Sequence, residues 1–81
     1  MKAECIESLI ACNREIEFTY KGCQYSITYY NDKRENYISV CLANQEPVDV
    51  RNSNEVLNLS IGGVKLEKIF ADLPDSAFNI Y

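Results

Sequence analysis

The sequence has no histidine and no tryptophan, and its 81 residues include only two prolines and three glycines. Without histidine, the common Cys–His nucleophilic pair is excluded, because a catalytic thiol usually needs a neighbouring imidazole to become a thiolate. Walker and dinucleotide-binding spacings are also missing around Gly62-Gly63, so that dipeptide predicts a turn and not a phosphate-binding loop. These absences predict no catalytic residue and no cofactor.

The cysteines are widely spaced, at Cys5, Cys12, Cys23 and Cys41. None of the intervals is the two to four residues of a zinc knuckle, so no metal site is predicted. We expect these cysteines to be reduced and buried as small hydrophobic side chains. A metal-thiolate protein remains an alternative if three or more of them converge.

The charge balance is acidic, with eight basic and twelve acidic residues and a formal net charge of -4. A duplex nucleic-acid binder normally carries a basic patch, so no nucleic-acid partner is expected. No segment approaches the roughly 20 apolar residues that span a bilayer, so no membrane association is expected. Residues 1–7 lack the apolar core of a signal peptide, which predicts a cytoplasmic location.

The length predicts a single α+β domain over residues 1–81. Apolar residues at helical spacing predict an N-terminal helix over residues 3–13. Alternation then predicts a three-stranded antiparallel meander, formed by residues 14–20, 23–30 and 36–43. A two-residue turn at Lys21-Gly22 pairs Phe18 with Tyr25, and a four-residue loop over 32–35 pairs Tyr30 with Tyr37.

The C-terminal half predicts two more helices, which pack with the first on the apolar face of the meander. Asn44 to Pro47 is a predicted turn, and residues 48–50 form either a short edge strand or an extended connector. Asn52 and Glu55 have the spacing of a capping box before a helix over 53–59. A second helix over 64–73 ends at Pro74, and the tail either packs on the body or pairs with a sheet edge.

Two groups of polar residues are candidates for function on the opposite face of the meander. Glu15 and Glu17 lie two residues apart on one strand, so both point to that face and are able to serve acid–base chemistry or bind a divalent cation. A solvent-exposed strand face accounts for them without any function. Tyr30 and Tyr37 are predicted cross-strand neighbours, which indicates either a protein interface or stacking that stabilises the hairpin.

Two motifs of the chain resemble those of a group of known proteins: Tyr20-Lys21-Gly22-Cys23-Gln24-Tyr25, and Ile61 to Leu66 with the helix that follows. The chain is similar to small uncharacterised cytoplasmic proteins of gut Firmicutes and of their phages or mobile elements. In these, a Tyr-x-Gly-x-x-Tyr hairpin precedes an Ile-x-Gly-x-x-Leu helix entry. The resemblance implies a bacterial or phage cytoplasmic origin and no activity.

Three hypotheses follow for the function. The first is a non-enzymatic protein-interaction or regulatory module that presents Glu15, Glu17, Tyr30 and Tyr37, or a free strand edge, to another protein or to a second copy of itself. The second is an enzyme or small-ligand protein with a concave pocket around Glu15, Glu17 and a nearby thiol. The third is the metal-thiolate protein.

Overall fold

The computed structural model describes residues 1–42 and 45–81. The described residues form three α-helices, seven strands and one short 3-10 helix. In chain order these are α1 (Ala3–Ala11), β1 (Ile16–Tyr20), β2 (Cys23–Asp32), β3 (Glu35–Cys41), β4 (Val48–Val50), α2 (Ser53–Asn58), β5 (Ser60–Ile61), β6 (Val64–Lys65), α3 (Leu66–Asp72), the 3-10 helix (Asp75–Ala77) and β7 (Phe78–Ile80). The α+β class predicted from the sequence is confirmed.

The main sheet is larger than the predicted meander. It has five antiparallel strands in the order β4-β3-β2-β1-β7. The meander β1-β2-β3 is present, but β4 adds to one side of it and the C-terminal β7 pairs with β1 on the other. Of the two alternatives for residues 48–50 the edge strand is confirmed, and the tail pairs with a sheet edge. The sheet therefore has two strands more than the predicted three, because both segments pair with edges that the meander leaves open.

The register within the meander is the predicted one. Phe18 pairs with Tyr25 across the Lys21-Gly22 turn, where both residues have positive φ, of 50° and 77°. Positive φ at both central residues is the geometry of a type I′ turn, whose twist matches that of the flanking strands. The predicted third strand extended to Ala43 and the following turn began at Asn44; both residues lie outside the described residues.

The β2–β3 connection is shorter than the predicted four-residue loop. Lys33 and Arg34 form a two-residue turn with φ of 50° and 69°, and Asp32 pairs with Glu35. The loop and the turn give the same pairing register, because shortening the connection adds one residue to each strand. The hairpin consequently extends further than expected.

Helix α1 ends at Ala11, and its C-terminus is closed by a Schellman motif. Asn13 adopts the left-handed conformation with φ of 54°. Its N–H donates to the Ile10 carbonyl at 2.9 Å, while the Arg14 N–H donates to the Leu9 carbonyl at 3.0 Å. Both bonds satisfy carbonyls that the last helical turn leaves unpaired, and the chain then turns into β1.

The predicted cap of α2 is present. The Asn52 side chain accepts a hydrogen bond from the Glu55 N–H at 2.9 Å, and the Glu55 carboxylate accepts one from the Arg51 N–H at 3.1 Å. The predicted start of α3 at residue 64 is wrong. Gly62-Gly63 is the turn of a small β5–β6 hairpin, so α3 begins at Leu66.

All three helices pack on one face of the main sheet. Ile6 and Ile10 of α1 join side chains of α2 and α3 in a single buried cluster. The sheet contributes alternate strand residues to it: Ile16, Phe18, Tyr25, Ile27, Ile38, Val40, Val50 and Phe78. At its centre the Phe18 ring stacks on Tyr25, with centroids 5.2 Å apart, and meets the Phe70 ring edge-on at 5.0 Å. The remaining strand residues alternate to the opposite face, which these helices leave uncovered.

Candidate functional site

The uncovered face of the main sheet, here called the open face, is made of polar and aromatic side chains. The residues of the open face are Glu17, Thr19, Gln24, Ser26, Thr28, Tyr30, Tyr37, Ser39, Cys41, Asp49 and Asn79. None of them is buried among the described residues. The middle of the open face carries the small side chains of Ser26, Thr28 and Ser39. The larger side chains lie toward its margins.

Tyr30 and Tyr37 stack on one another at one end of the open face. Their cross-strand pairing was predicted, and the structure confirms it, with ring centroids 5.2 Å apart and planes inclined by 22°. Tyr30 is 41% exposed. Pairs of this kind are favoured over isolated rings by about 0.5–1.5 kcal/mol beyond the area they bury.

Each phenol of this pair donates a hydrogen bond to a carboxylate. The Tyr30 hydroxyl donates to Asp49 Oδ2 at 2.6 Å, which raises the pKa of Tyr30 from its ordinary value of 10.0 to about 12. The Tyr37 hydroxyl donates to Glu35 Oε2 at 2.5 Å, and this bond raises the pKa of Tyr37 as well. In both cases the carboxylate stabilises the protonated phenol, because ionisation would remove the donated proton and add a second negative charge.

Arg51 completes this group from the start of α2. Its guanidinium donates to Glu35 Oε2 at 3.0 Å and lies over the Tyr37 ring, with the guanidinium carbon 5.6 Å from the ring centroid. The distance is within the range of a cation–π contact. We call Tyr30, Tyr37, Glu35, Asp49 and Arg51 the tyrosine cluster.

Three members of the tyrosine cluster were not predicted from the sequence. Asp49 was detectable in principle, because residues 48–50 were one of two readings for an edge strand, and a strand there places Asp49 beside Ser39 on the open face. The same register sets Arg51, the next residue after β4, opposite Tyr37 on the open face. Glu35 lies two residues before Tyr37 on the same face of β3, in the part of the hairpin that the predicted loop over 32–35 left out of the strand.

Glu17 and Glu15 lie at the other side of the open face, around Tyr81. Glu17 accepts hydrogen bonds from Gln24 Nε2 at 3.0 Å and from the Tyr81 hydroxyl at 3.2 Å. Glu15 precedes β1 by one residue, and its carbonyl accepts the Tyr81 N–H at 2.9 Å. The hydrogen bond to Glu17, followed by the charges of both glutamates, raises the pKa of Tyr81.

The structure separates Glu17 from the predicted tyrosine pair, whereas Glu15 lines one groove with Tyr30 and Tyr37. Among the described residues, no hydrogen bond or ion pair connects Glu15 or Glu17 with the tyrosine cluster. Tyr81 contacts both glutamates, Glu17 through its hydroxyl and Glu15 through its backbone N–H. Nothing in the alternation of the tail indicated that this phenol would reach Glu17.

An open groove of about 510 Å³ lies at the end of the sheet, between α1, the β2–β3 hairpin and the start of α2. Glu15 lines it together with the rings of Tyr29, Tyr30 and Tyr37. Tyr29 donates its hydroxyl to the Arg14 carbonyl at 2.6 Å. Burial, and to a lesser degree the Glu15 charge, raises the pKa of Tyr29 to about 12. Neither Glu17 nor a cysteine is among the residues that line the groove, so it does not assemble the carboxylate–thiol set of the second hypothesis.

The expectation that the cysteines are buried is wrong. Cys5, Cys12 and Cys41 are exposed, Cys23 is half-buried, and all four are free thiols. Helix α1 buries only Ile6 and Ile10, so its apolar stripe is narrower than the sequence predicted and leaves Cys5 exposed. Cys12 follows the last residue of α1 and is exposed as well. Among the described residues there is no group of three or more acidic, cysteine or histidine side chains able to hold a metal ion.

No helix in the described part of the chain has the length and apolar character needed to cross a membrane. In comparisons with known proteins, no family model, curated protein or solved structure matches the chain.

Proposed function

We propose that this protein is a small interaction module that binds a basic segment of another protein on its open face. The observation that supports this proposal is the asymmetry of the sheet. Three helices cover one face and bury its apolar side chains, whereas the open face carries no buried residue in the described part of the chain. An exposed surface with stacked tyrosines has the composition that protein interfaces favour.

The charge of the open face selects the class of partner. Glu17 and Asp49 lie on it and Glu15 lies at its end, whereas the basic side chain that lies over it, Arg51, is already paired with Glu35. The chain as a whole has a formal net charge of -4. Complementary potentials steer association and disfavour partners of like charge. A segment rich in lysine or arginine therefore fits this surface, and a nucleic acid does not.

The contact of Arg51 within the tyrosine cluster illustrates how a partner's arginine would bind. Arg51 lies over the Tyr37 ring while it pairs with Glu35. Tyr30, stacked on the same ring, has Asp49 beside it and no cation over its own face among the described residues. A partner's guanidinium placed over Tyr30 and next to Asp49 would repeat the arrangement of Arg51. Planar guanidinium groups suit such a site better than ammonium groups do.

Amide chemical-shift mapping tests this proposal with a synthetic peptide of alternating arginine and glycine as the probe. We expect the peptide to shift amides of the open face around Tyr30, Tyr37 and Asp49, with a dissociation constant of about 0.1–1 mM, because each exposed charge contact contributes only a few tenths of a kcal/mol. Binding should weaken as the salt concentration rises. A peptide of alternating glutamate and glycine should leave the spectrum unchanged.

Two sets of variants control the experiment. Tyr30→Ala combined with Tyr37→Ala should weaken peptide binding several-fold, and Asp49→Lys should do the same. Glu67→Lys makes the same change of charge on the exposed side of α3, in the helical layer, and should leave binding unchanged. Shifts that spread over the helices, or binding that survives loss of both tyrosines, would overturn the proposal.

A further inference from the structure

The two edges of the main sheet are protected unequally. Edge strand β4 is preceded by Glu46 and Pro47, contains Asp49 and is followed by Arg51. Charged residues and proline are the usual devices by which an edge strand avoids pairing with another chain. The opposite edge, residues 76–81 with β7 at their centre, contains neither a charged side chain nor a proline. The strand is short, and the charged group beside it comes from another segment, because Arg14 Nε–H donates to the Tyr81 carbonyl.

The backbone of β7 presents free hydrogen-bonding groups to the outside. The Tyr81 N–H bonds to the Glu15 carbonyl, and hydrogen-bonded pairs alternate along an antiparallel ladder. Glu17 and Asn79 are thus the next hydrogen-bonded pair. Phe78 and Ile80 flank Asn79 and belong to the non-hydrogen-bonded pairs of the ladder. Their backbone N–H and C=O groups therefore point away from β1. The Phe78 N–H closes the 3-10 helix on Asp75, which leaves the Phe78 carbonyl and both groups of Ile80.

These free groups complement a second copy of the same strand. If two β7 strands run antiparallel about a two-fold axis at Asn79, each Ile80 N–H meets the Phe78 carbonyl of the other copy. The register overlaps the strands over residues 77–81, and it sets Phe78 beside the Ile80 of the other copy on the apolar side. A cross-strand pair of this kind covers an isoleucine that is only half-buried in the single chain.

The exposed aromatic residue at this edge supports the same pairing. Two large hydrophobic side chains are exposed among the described residues, Tyr30 and Tyr81, and Tyr81 is the more exposed at 60%. Tyr81 follows β7 directly and lies opposite Ala77 of the second copy in this register. Its ring would lose part of its contact with water on pairing, which is favourable for apolar surface.

We propose that the chain forms a homodimer through antiparallel pairing of β7 with β7, with the two-fold axis at Asn79. The two five-stranded sheets then continue into one sheet, and their open faces lie side by side. The contact is small, so the dimer is a weak one, with a dissociation constant on the order of 0.1 mM. The inference does not depend on the proposed partner of the open face.

Sedimentation velocity and light scattering test the dimer at protein concentrations of about 10 µM to 1 mM. The wild-type chain is compared with variants that carry a charge at the two-fold axis. Asn79 faces its own copy across the axis, so Asn79→Lys and Asn79→Asp each place like charges opposite one another. We expect each variant alone to dimerise at least roughly tenfold more weakly than the wild-type chain. An equimolar mixture of the two variants should recover dimerisation, because the opposed charges then attract.

Matched controls separate this edge from other contacts. Glu46→Lys changes a charge beside β4 at the opposite edge and should leave the dimer unchanged. The Asn79 side chain is exposed, so circular dichroism and the unfolding midpoint should show intact monomers in both axis variants. A wild-type chain that stays monomeric at about 1 mM overturns the proposal. So does an Asn79→Lys chain that dimerises normally, or a mixture that fails to associate.

Discussion

Truncation of Phe78 to alanine is the most direct test of how the tail is held in the sheet. Phe78 is 8% exposed, and its ring centroid lies 6.0 Å from that of Phe18 and 5.9 Å from that of Phe70. It is the one ring that β7 contributes to the aromatic centre of the described core. Its loss leaves the β1–β7 hydrogen bonds with little side-chain packing to support them.

The expected cost of Phe78→Ala is about 3 kcal/mol. Buried Phe→Ala substitutions cost roughly 3–5 kcal/mol, from lost transfer free energy and the cavity left behind. The lower end applies because β7 is an edge strand, where neighbouring side chains have room to close the cavity. A domain of 81 residues has a total stability of about 4–12 kcal/mol. The variant therefore keeps only part of its stability and unfolds well below the wild-type midpoint.

Urea unfolding followed by circular dichroism measures this cost. With a denaturant slope of about 1–1.5 kcal/mol/M for a chain of this size, the midpoint should fall by about 2–3 M. Asn79→Ala is the matched control, because Asn79 is the neighbouring residue on β7 but points to the open face and is exposed. Its effect should stay within about 0.5 kcal/mol. If Phe78→Ala costs no more than Asn79→Ala, β7 is not docked through this ring and the reasoning fails.

Two further predictions concern the tyrosine cluster and the β2–β3 turn. Asp49→Asn should lower the pKa of Tyr30 from about 12 toward its ordinary value of 10.0, which ¹³C NMR of labelled tyrosine measures. Because the pKa is raised in the folded chain, the Tyr30–Asp49 hydrogen bond should stabilise the fold fully below pH 10. That contribution should be lost as the pH rises toward 12; an unchanged Tyr30 pKa in Asp49→Asn would contradict the assignment. Replacing Lys33-Arg34 by Asn-Gly should raise the free energy of unfolding by about 1 kcal/mol, because Lys33 and Arg34 both have positive φ, which Asn and Gly adopt more readily. A lower urea midpoint in this variant would contradict the turn geometry.

The meander was predictable because its register depends on local alternation. A slip by one residue would move the whole apolar set of a strand to the wrong face. The pairing of Phe18 with Tyr25 and of Tyr30 with Tyr37 therefore follows from the spacing of apolar residues around two turns. The same rule explains why an incorrect loop length at residues 32–35 left the register correct.

The candidate site was predictable only in part, because its members come from separate parts of the chain. Tyr30 and Tyr37 are neighbours through local pairing, whereas Asp49 reaches Tyr30 across an intervening strand. Glu17 was expected to form a carboxylate pair with Glu15, and its hydrogen-bond partners include Tyr81, 64 residues away in sequence. Alternation specifies the face on which a side chain lies and does not specify its contacts across three strands.

The sequence by itself determined the α+β class, the helix cap at Asn52 and the division of the meander into an apolar and a polar face. Each of these depends on residues within a few positions of one another, through backbone hydrogen bonding and the two-residue period of a strand. Tertiary structure alone decided that residues 48–50 and the tail become strands β4 and β7 of the sheet, that Cys5 of α1 faces outward and that Arg51 lies over Tyr37. Those outcomes depend on which distant segments compete to cover the same core and the same edges, and no local pattern encodes the result of that competition.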